Sequence, residues 1–181
     1  MLCQAGAPDP LEERPMSLVN GLPAHVLLVH FVVVLVPLTA LALVVCAVWP
    51  PAARRMGLVL PILALVTLAS VPLTTGAGEW LEKHVSSNTL IQRHAELGDG
   101  LLPWALGLFV LAAAVWWTTR RSPAQRDGAR SASAVRIAAA VLSVAVSAGA
   151  VVDVYRIGDS GAKAAWQDGY SKTATGSADR G

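Results

Sequence analysis

Few side chains in this 181-residue chain can do chemistry, and four of them are histidines: His25, His30, His84 and His94. Imidazole is the commonest metal ligand and changes its charge near neutral pH. Two neutral imidazoles from different helices can hold a haem iron inside a bundle. Three imidazoles with a carboxylate can hold zinc or copper. A chain of His, Asp and Glu can pass protons. The residue types alone leave these three chemistries open.

His25 and His30 lie in the stretch Asn-Gly-Leu-Pro-Ala-His-Val-Leu-Leu-Val-His-Phe, residues 20–31, where a polar turn enters a long apolar run. Five residues on a helix turn about 140° and rise about 7.5 Å. The two rings therefore do not form a chelate as an i, i+4 pair would. Each needs a partner from another helix. His30, the deeper of the two, is the first ligand candidate, with His94 as its partner and His25 third. His94 precedes Ala-Glu-Leu-Gly-Asp, and a helix running on from it puts Leu101 on its face. Asp153 and Glu79 are the carboxylates placed to orient an imidazole from behind, and Asp153 has Arg156 as its alternative partner at i, i+3. Cys3 and Cys46 show no metal spacing, and Cys46 reads as packing. No GxGxxG, P-loop, HExxH, CxxC or CxxCH pattern occurs, and Ser160 in Gly-Asp-Ser-Gly lacks the spacing of a nucleophile elbow.

The elements that must position these groups are apolar. Hydrophobic residues make up 54% of the chain and charged residues 14%, with mean hydropathy +0.54. A soluble domain carries about 25% charged residues, so the deficit points to lipid as solvent. A net charge of +2, with no basic patch interleaved with aromatics, argues against nucleic acid. About 20 apolar residues span a bilayer core of about 30 Å, and four segments qualify, at about 24–48, 56–73, 101–117 and 135–154. Trp49, Pro50 and Pro51 end the first. Pro61 and Pro72 punctuate the second, and Thr74, Thr75, Gly76 and Gly78 end it. The third continues a helix that starts near Ser87, with Pro103 kinking the continuation. The fourth is rich in small residues, among them Ala140, Ser143, Ser147 and Gly149. It is expected to be a packed helix with less lipid exposure than the first. After Tyr155 an exterior turn and short helix are expected.

The fold class is thus all-α: an up-and-down four-helix transmembrane bundle over residues 17–167. Disordered tails are expected at 1–16 and 168–181, and translation starts at either Met1 or Met16. Residues 1–15 lack the apolar region of a signal peptide. Arg54, Arg55, Arg120, Arg121, Arg126, Arg130 and Arg136 gather in the loops at one end against Asp127 alone. The positive-inside rule makes those loops cytoplasmic and both termini external. Trp49, Trp116 and Trp117 then fall at inner ends, and Trp80, Trp104 and Tyr155 at outer ends.

Three blocks carry a resemblance. They are Asn20-Gly-Leu-Pro-Ala-His25 with Val29-His30-Phe31; Thr75-Gly-Ala-Gly-Glu79-Trp80-Leu with His94-Ala-Glu-Leu-Gly98; and Gly158-Asp-Ser-Gly-Ala162 running to Trp166. In this order they resemble the bacterial membrane family known as domain of unknown function 2231, over about residues 17–167, and look most like its actinobacterial branch. The resemblance implies four membrane helices, the first opening on a His-Pro-x-x-x-His-like signature, and a place in the bacterial cell membrane. Some relatives sit beside Rieske-type iron–sulfur domains, which implies b-type haem or electron transfer. By resemblance, His25, His30 and His94 occupy the recurrent histidines. This chain departs at Val26, where proline is usual, and at Asp159, where the terminal block would have histidine.

The functional expectation is a redox or metal-binding module with outward-facing histidines, b-type haem first and copper or zinc second. Its partners would be the lipid bilayer, an electron-transfer protein and a second copy of the chain. The rival expectation is a non-catalytic membrane protein whose histidines are structural or proton-sensing. Transport is a weaker third, since the sequence offers no buried charge pair and no broken-helix repeat.

Overall fold

The computed structural model describes residues 18–19, 22–82, 89–120 and 129–166. The expected tails, Cys3 and His84 lie outside the described residues. A two-residue antiparallel ladder, β1 (Leu18–Val19) on β2 (Leu22–Pro23), leads into the first helix. The rest is helical: α1 (Ala24–Val48), α2 (Pro50–Met56), α3 (Val59–Glu82), α4 (Thr89–Asp99), α5 (Leu101–Arg120) and α6 (Ala129–Trp166). Four stretches are long and apolar enough to cross a membrane: Ala24–Val48, Val59–Trp80, Thr89–Arg120 and Ala134–Trp166. They pack as a ring in which α1 and α5 each lie between α3 and α6.

Local sequence explains the joints. Pro50 and Pro51 cannot continue α1, but they suit the first turn of α2, where no backbone donor is needed. Gly57 then turns the chain with φ of 51°, a left-handed conformation costly for any residue with a Cβ. Pro61 lands in the first turn of α3 and removes no helical bond. Pro103 sits in the first turn of α5, and the expected interruption falls just before it. Gly100 separates α4 from α5, and its amide bonds back to Leu97 at 3.2 Å.

Three expectations are corrected. Thr74, Thr75, Gly76 and Gly78 do not end the second helix, which runs through them to Glu82. The Thr74 and Thr75 hydroxyls donate to the Ser70 and Pro72 carbonyls, so the helix satisfies these polar residues itself. The fourth helix does not stop near Val154 to give way to a turn and a short helix. It continues unbroken to Trp166. Nor is the fourth span shielded more than the first. Its apolar window is 22% buried against 33% for the first. Small residues form only a narrow buried stripe, with Ser143, Ser147, Ala150 and Val154 inward and Val141, Leu142, Val144 and Val152 exposed.

The core is aliphatic, built on Val36, Leu43, Leu60 and Leu108, with a thread of buried hydroxyls through it. Thr67 donates to the Leu63 carbonyl at 2.9 Å, so its oxygen accepts from Thr39 across the α1–α3 interface at 2.7 Å. Ser147 of α6 donates to the Ala40 carbonyl of α1 at 3.2 Å. Hydrogen bonds of this kind contribute about 0.6 kcal/mol each between membrane helices. Here they fix the mutual register of α1, α3 and α6. Cys46 is buried, its thiol directed at the Met56 sulfur 3.3 Å away.

Candidate functional site

The start of α1, the end of α3, α4 and the end of α6 meet at one end of the bundle. His25 is the second residue of α1 and half-buried. Its Nδ1–H donates to the Thr74 carbonyl of α3 at 3.0 Å. His94, on α4, is also half-buried, and its Nδ1 lies 2.9 Å from the Ser160 hydroxyl of α6. Ser160 spends its own proton on the Ile157 carbonyl at 2.8 Å, so its oxygen accepts and His94 Nδ1 donates. In the neutral form each imidazole therefore carries its proton on Nδ1 and its lone pair on Nε2. Their ring centres are 6.3 Å apart with planes at 86°. One ring contact and two hydrogen bonds thus tie the four spans together.

Two glycines make the space. A Cβ on Gly78 would sit 3.1 Å from His25 Cε1 and Nδ1, and one on Gly161 would sit 2.9 Å from His94 Cε1. In real structures contacts under 3.0 Å essentially never occur, so any larger residue at 161 must displace the ring. Each imidazole therefore lies against bare backbone of the helix that also orients it. α3 offers Thr74 and Gly78 one turn apart, and α6 offers the adjacent Ser160 and Gly161.

The other candidates do not join this pair. His30 is exposed, and its Nδ1 donates to the Val26 carbonyl of its own helix at 2.6 Å. The 140° offset that separates it from His25 sends the shallower ring, not the deeper one, toward His94. Glu79 is exposed. Asp153 turns one buried oxygen toward the α4–α5 joint, 3.9 Å from where a Gly100 Cβ would be, and that oxygen has no hydrogen-bond partner. The orienting role foreseen for these carboxylates is filled instead by the Thr74 carbonyl and the Ser160 hydroxyl. Ser160 could have been found from the sequence. A fourth helix continued past Tyr155 places Ser160 and Gly161 seven and eight residues after Asp153, on one face.

The opposite end is built differently. Arg54 and Arg55 are exposed in the last turn of α2, and Arg120 lies over the Trp116 ring at 4.8 Å. Arg136 and Arg156 are 20 residues apart on α6, about 30 Å, the thickness of a hydrocarbon core. Ser160 follows Arg156 by one further turn of α6.

A family model described as "Predicted membrane protein (DUF2231)" matches residues 21–174. The chain belongs to the DUF2231 family. It is a multi-pass membrane protein, and the outward apolar side chains, Phe31, Val34, Leu41, Ile62, Val110 and Val141 among them, face lipid. No curated protein and no solved structure matches the chain. The match takes in all the elements that build the DUF2231 histidine pair, from His25 and Thr74 to His94 and Ser160.

Proposed function

We propose that this membrane protein is a metal-binding module in which His25 and His94 hold a single soft ion, copper(I) first. The observation that carries the reading is the pair of Nδ1–H bonds. A metal-ligating imidazole typically donates its other ring N–H to a carbonyl or similar acceptor, which sets the tautomer and raises ligand basicity. Both rings are arranged in this way, 6.3 Å between centres. Two metal–nitrogen bonds of about 2 Å, with about 1.2 Å from each nitrogen to its ring centre, separate two collinear imidazoles by about 6.4 Å. Rotation about that line is free, so perpendicular planes are compatible with it.

The alternatives fit less well. Bis-imidazole haem asks for the same ring-centre distance, so the spacing does not separate it from copper. Haem is placed second because a porphyrin also needs an open slot between α1 and α4, where the rings lie against the Gly78 and Gly161 backbone. Zinc wants three or four protein ligands, and among the described residues no group of three His, Cys, Asp or Glu converges. Imidazole suits copper, and a monovalent ion suits a site with no carboxylate.

The test is copper(I) titration of detergent-purified protein against a chromophoric chelator. Cys3 and Cys46 are replaced by alanine so that no thiolate competes. One ion per chain is expected. His25→Ala and His94→Ala should each weaken binding by at least about 100-fold, since each removes one of two ligands and second-shell losses alone reach 10–100-fold. His30→Ala should leave binding unchanged. No stoichiometric copper, or equal binding by His94→Ala, sinks the reading, and a Soret band on purification would put haem in the ion's place.

A second reading keeps the pair without an ion. The ring contact and its two hydrogen bonds join all four spans, and this supports structural or proton-sensing histidines. It predicts loss of stability in His25→Ala and His94→Ala with no metal bound by either the wild type or the variants.

We further propose that the histidine end faces outward in a bacterial plasma membrane, with the arginine loops in the cytoplasm. The support is the asymmetry of arginines. Single cysteines placed at Arg54 and Asp159 should differ in labelling by an impermeant maleimide in intact cells, Asp159 reacting and Arg54 not. The reverse pattern inverts the topology. An electron-transfer partner or a second copy would extend the copper reading, but the reading requires neither.

A further inference from the structure

Beside the histidine pair, on the far side of Ser160, a cavity of about 410 Å³ lies between α4 and α6. Its volume is in the range of small-molecule sites, about 300–1,000 Å³. Arg93 lines it from α4, and Arg156, Asp159, Ser160 and Lys163 line it from α6. The α6 residues follow an i, i+3, i+4, i+7 pattern, which is one helix face. Their charges do not cancel. Lys163 is held by Asp159 at 2.6 Å, whereas neither Arg93 nor Arg156 forms an ion pair with a carboxylate among the described residues. Arg156 also feels Asp153, one turn deeper, through space and without ion-pair contact. Two guanidiniums thus line the cavity, and Arg156 stands 20 residues, about 30 Å, along α6 from Arg136.

We infer that this groove is a phosphate-binding site, in which Arg93 and Arg156 grip an oxyanion from opposite helices with the Ser160 hydroxyl at its wall. Guanidinium presents paired N–H donors that match two phosphate oxygens, and such charge-assisted bonds are about twice as strong as neutral ones. Arg156 is separated from Arg136 by about the thickness of a hydrocarbon core, which suits a headgroup at its level, and basic pockets between membrane helices take phospholipid phosphates. A free phosphate has the same recognition chemistry. Ser160 is shared between this groove and the histidine pair, but the inference does not rest on the copper reading.

Two probes separate the sources. Inorganic phosphate is titrated by calorimetry into the full chain in a neutral detergent. Retention of phosphatidylglycerol is measured by native mass spectrometry after extraction from vesicles of phosphatidylcholine with one-fifth phosphatidylglycerol. The wild type is expected to bind one or both probes. Arg93→Gln and Arg156→Gln should each weaken binding about tenfold, the effect of losing one charge-assisted contact. Arg54→Gln and Arg55→Gln, at the other end, should not change it. Asp159→Asn frees Lys163 and should tighten binding about threefold, a gain that a misfolded variant would not give. Retention of phosphatidylglycerol, with or without a phosphate response, assigns the site to lipid headgroups, and response of phosphate alone assigns it to a soluble oxyanion. Absence of binding by the wild type, or binding indifferent to Arg93 and Arg156, overturns the inference. Copper binding should be unaffected by the Arg93 and Arg156 changes, so failure of one site does not entail failure of the other.

Discussion

Gly149→Ala is expected to destabilise the bundle by about 2 kcal/mol, the middle of the range for overpacking a well-packed interior. The added Cβ would sit 2.2 Å from Trp104 Cζ3 and 2.4 Å from Cη2, well inside any van der Waals contact. Trp104 lies one turn into α5, with its ring laid across α6 at Gly149, which has no side chain to meet it. It is 37% exposed, so the ring has an escape toward lipid, but leaving its seat forfeits the α5–α6 contact. Equilibrium unfolding in mixed micelles, followed by circular dichroism, measures the loss. Trp104→Ala removes the obstacle, and the double variant should be more stable than the sum of the two single effects, with a coupling of about 1–2 kcal/mol. Additive effects would mean that the ring does not occupy this seat.

For the copper(I) site proposed above, Gly161→Ala is expected to reduce affinity about 10–100-fold, the usual cost of disturbing a group that orients a metal ligand. Its Cβ would come within 2.9 Å of His94 Cε1 and 3.3 Å of Nδ1, so the imidazole must swing away and surrender its bond to Ser160. Ser160→Ala removes the acceptor without adding bulk and should lower affinity in the same direction. Gly158, two residues before Ser160, has nothing within 4 Å of where its Cβ would be, and Gly158→Ala should leave binding unchanged. If Gly161→Ala and Gly158→Ala behave alike, the ring is not held where the site requires it. The chelator titration used for His25 and His94 reads all three variants.

Much of this architecture follows from local rules that need no neighbour. Apolar runs of sufficient length become helices because backbone groups facing lipid can be paired only within the segment. Pro50, Pro51 and Pro103 mark joints because a ring nitrogen has no proton to donate. Those two rules give four spans and expect breaks at 49–51 and at Pro103, the second of which the structure moves to Gly100. They misjudge the end of α3, because Thr and Gly break helices in water yet are common in packed membrane helices, where Ser70 and Pro72 carbonyls take the threonine hydroxyls. They misjudge α6 for a related reason. Gly158 and Gly161 read as a turn, whereas Gly161 is needed as the floor beneath His94.

The histidines divide along the same line. The sequence by itself determined that His25 and His30 leave α1 about 140° apart. The expectation that each looks to another helix holds for His25, which bonds Thr74, but not for His30, which bonds Val26 of its own helix. The sequence also determined that seven arginines, from Arg54 to Arg136, fall in or beside the segments that join the other ends of the spans. Only the tertiary structure decided which ring turns inward. Pairing of α1 with α3 and α6 is set by long-range contacts, Thr39 with Thr67 and Ala40 with Ser147, and these fix the rotation of α1 about its axis. That rotation brings His25 against His94 and leaves His30 exposed. A helix carries its periodicity in its own residues, but its rotation relative to a neighbour is decided by the side chains of both.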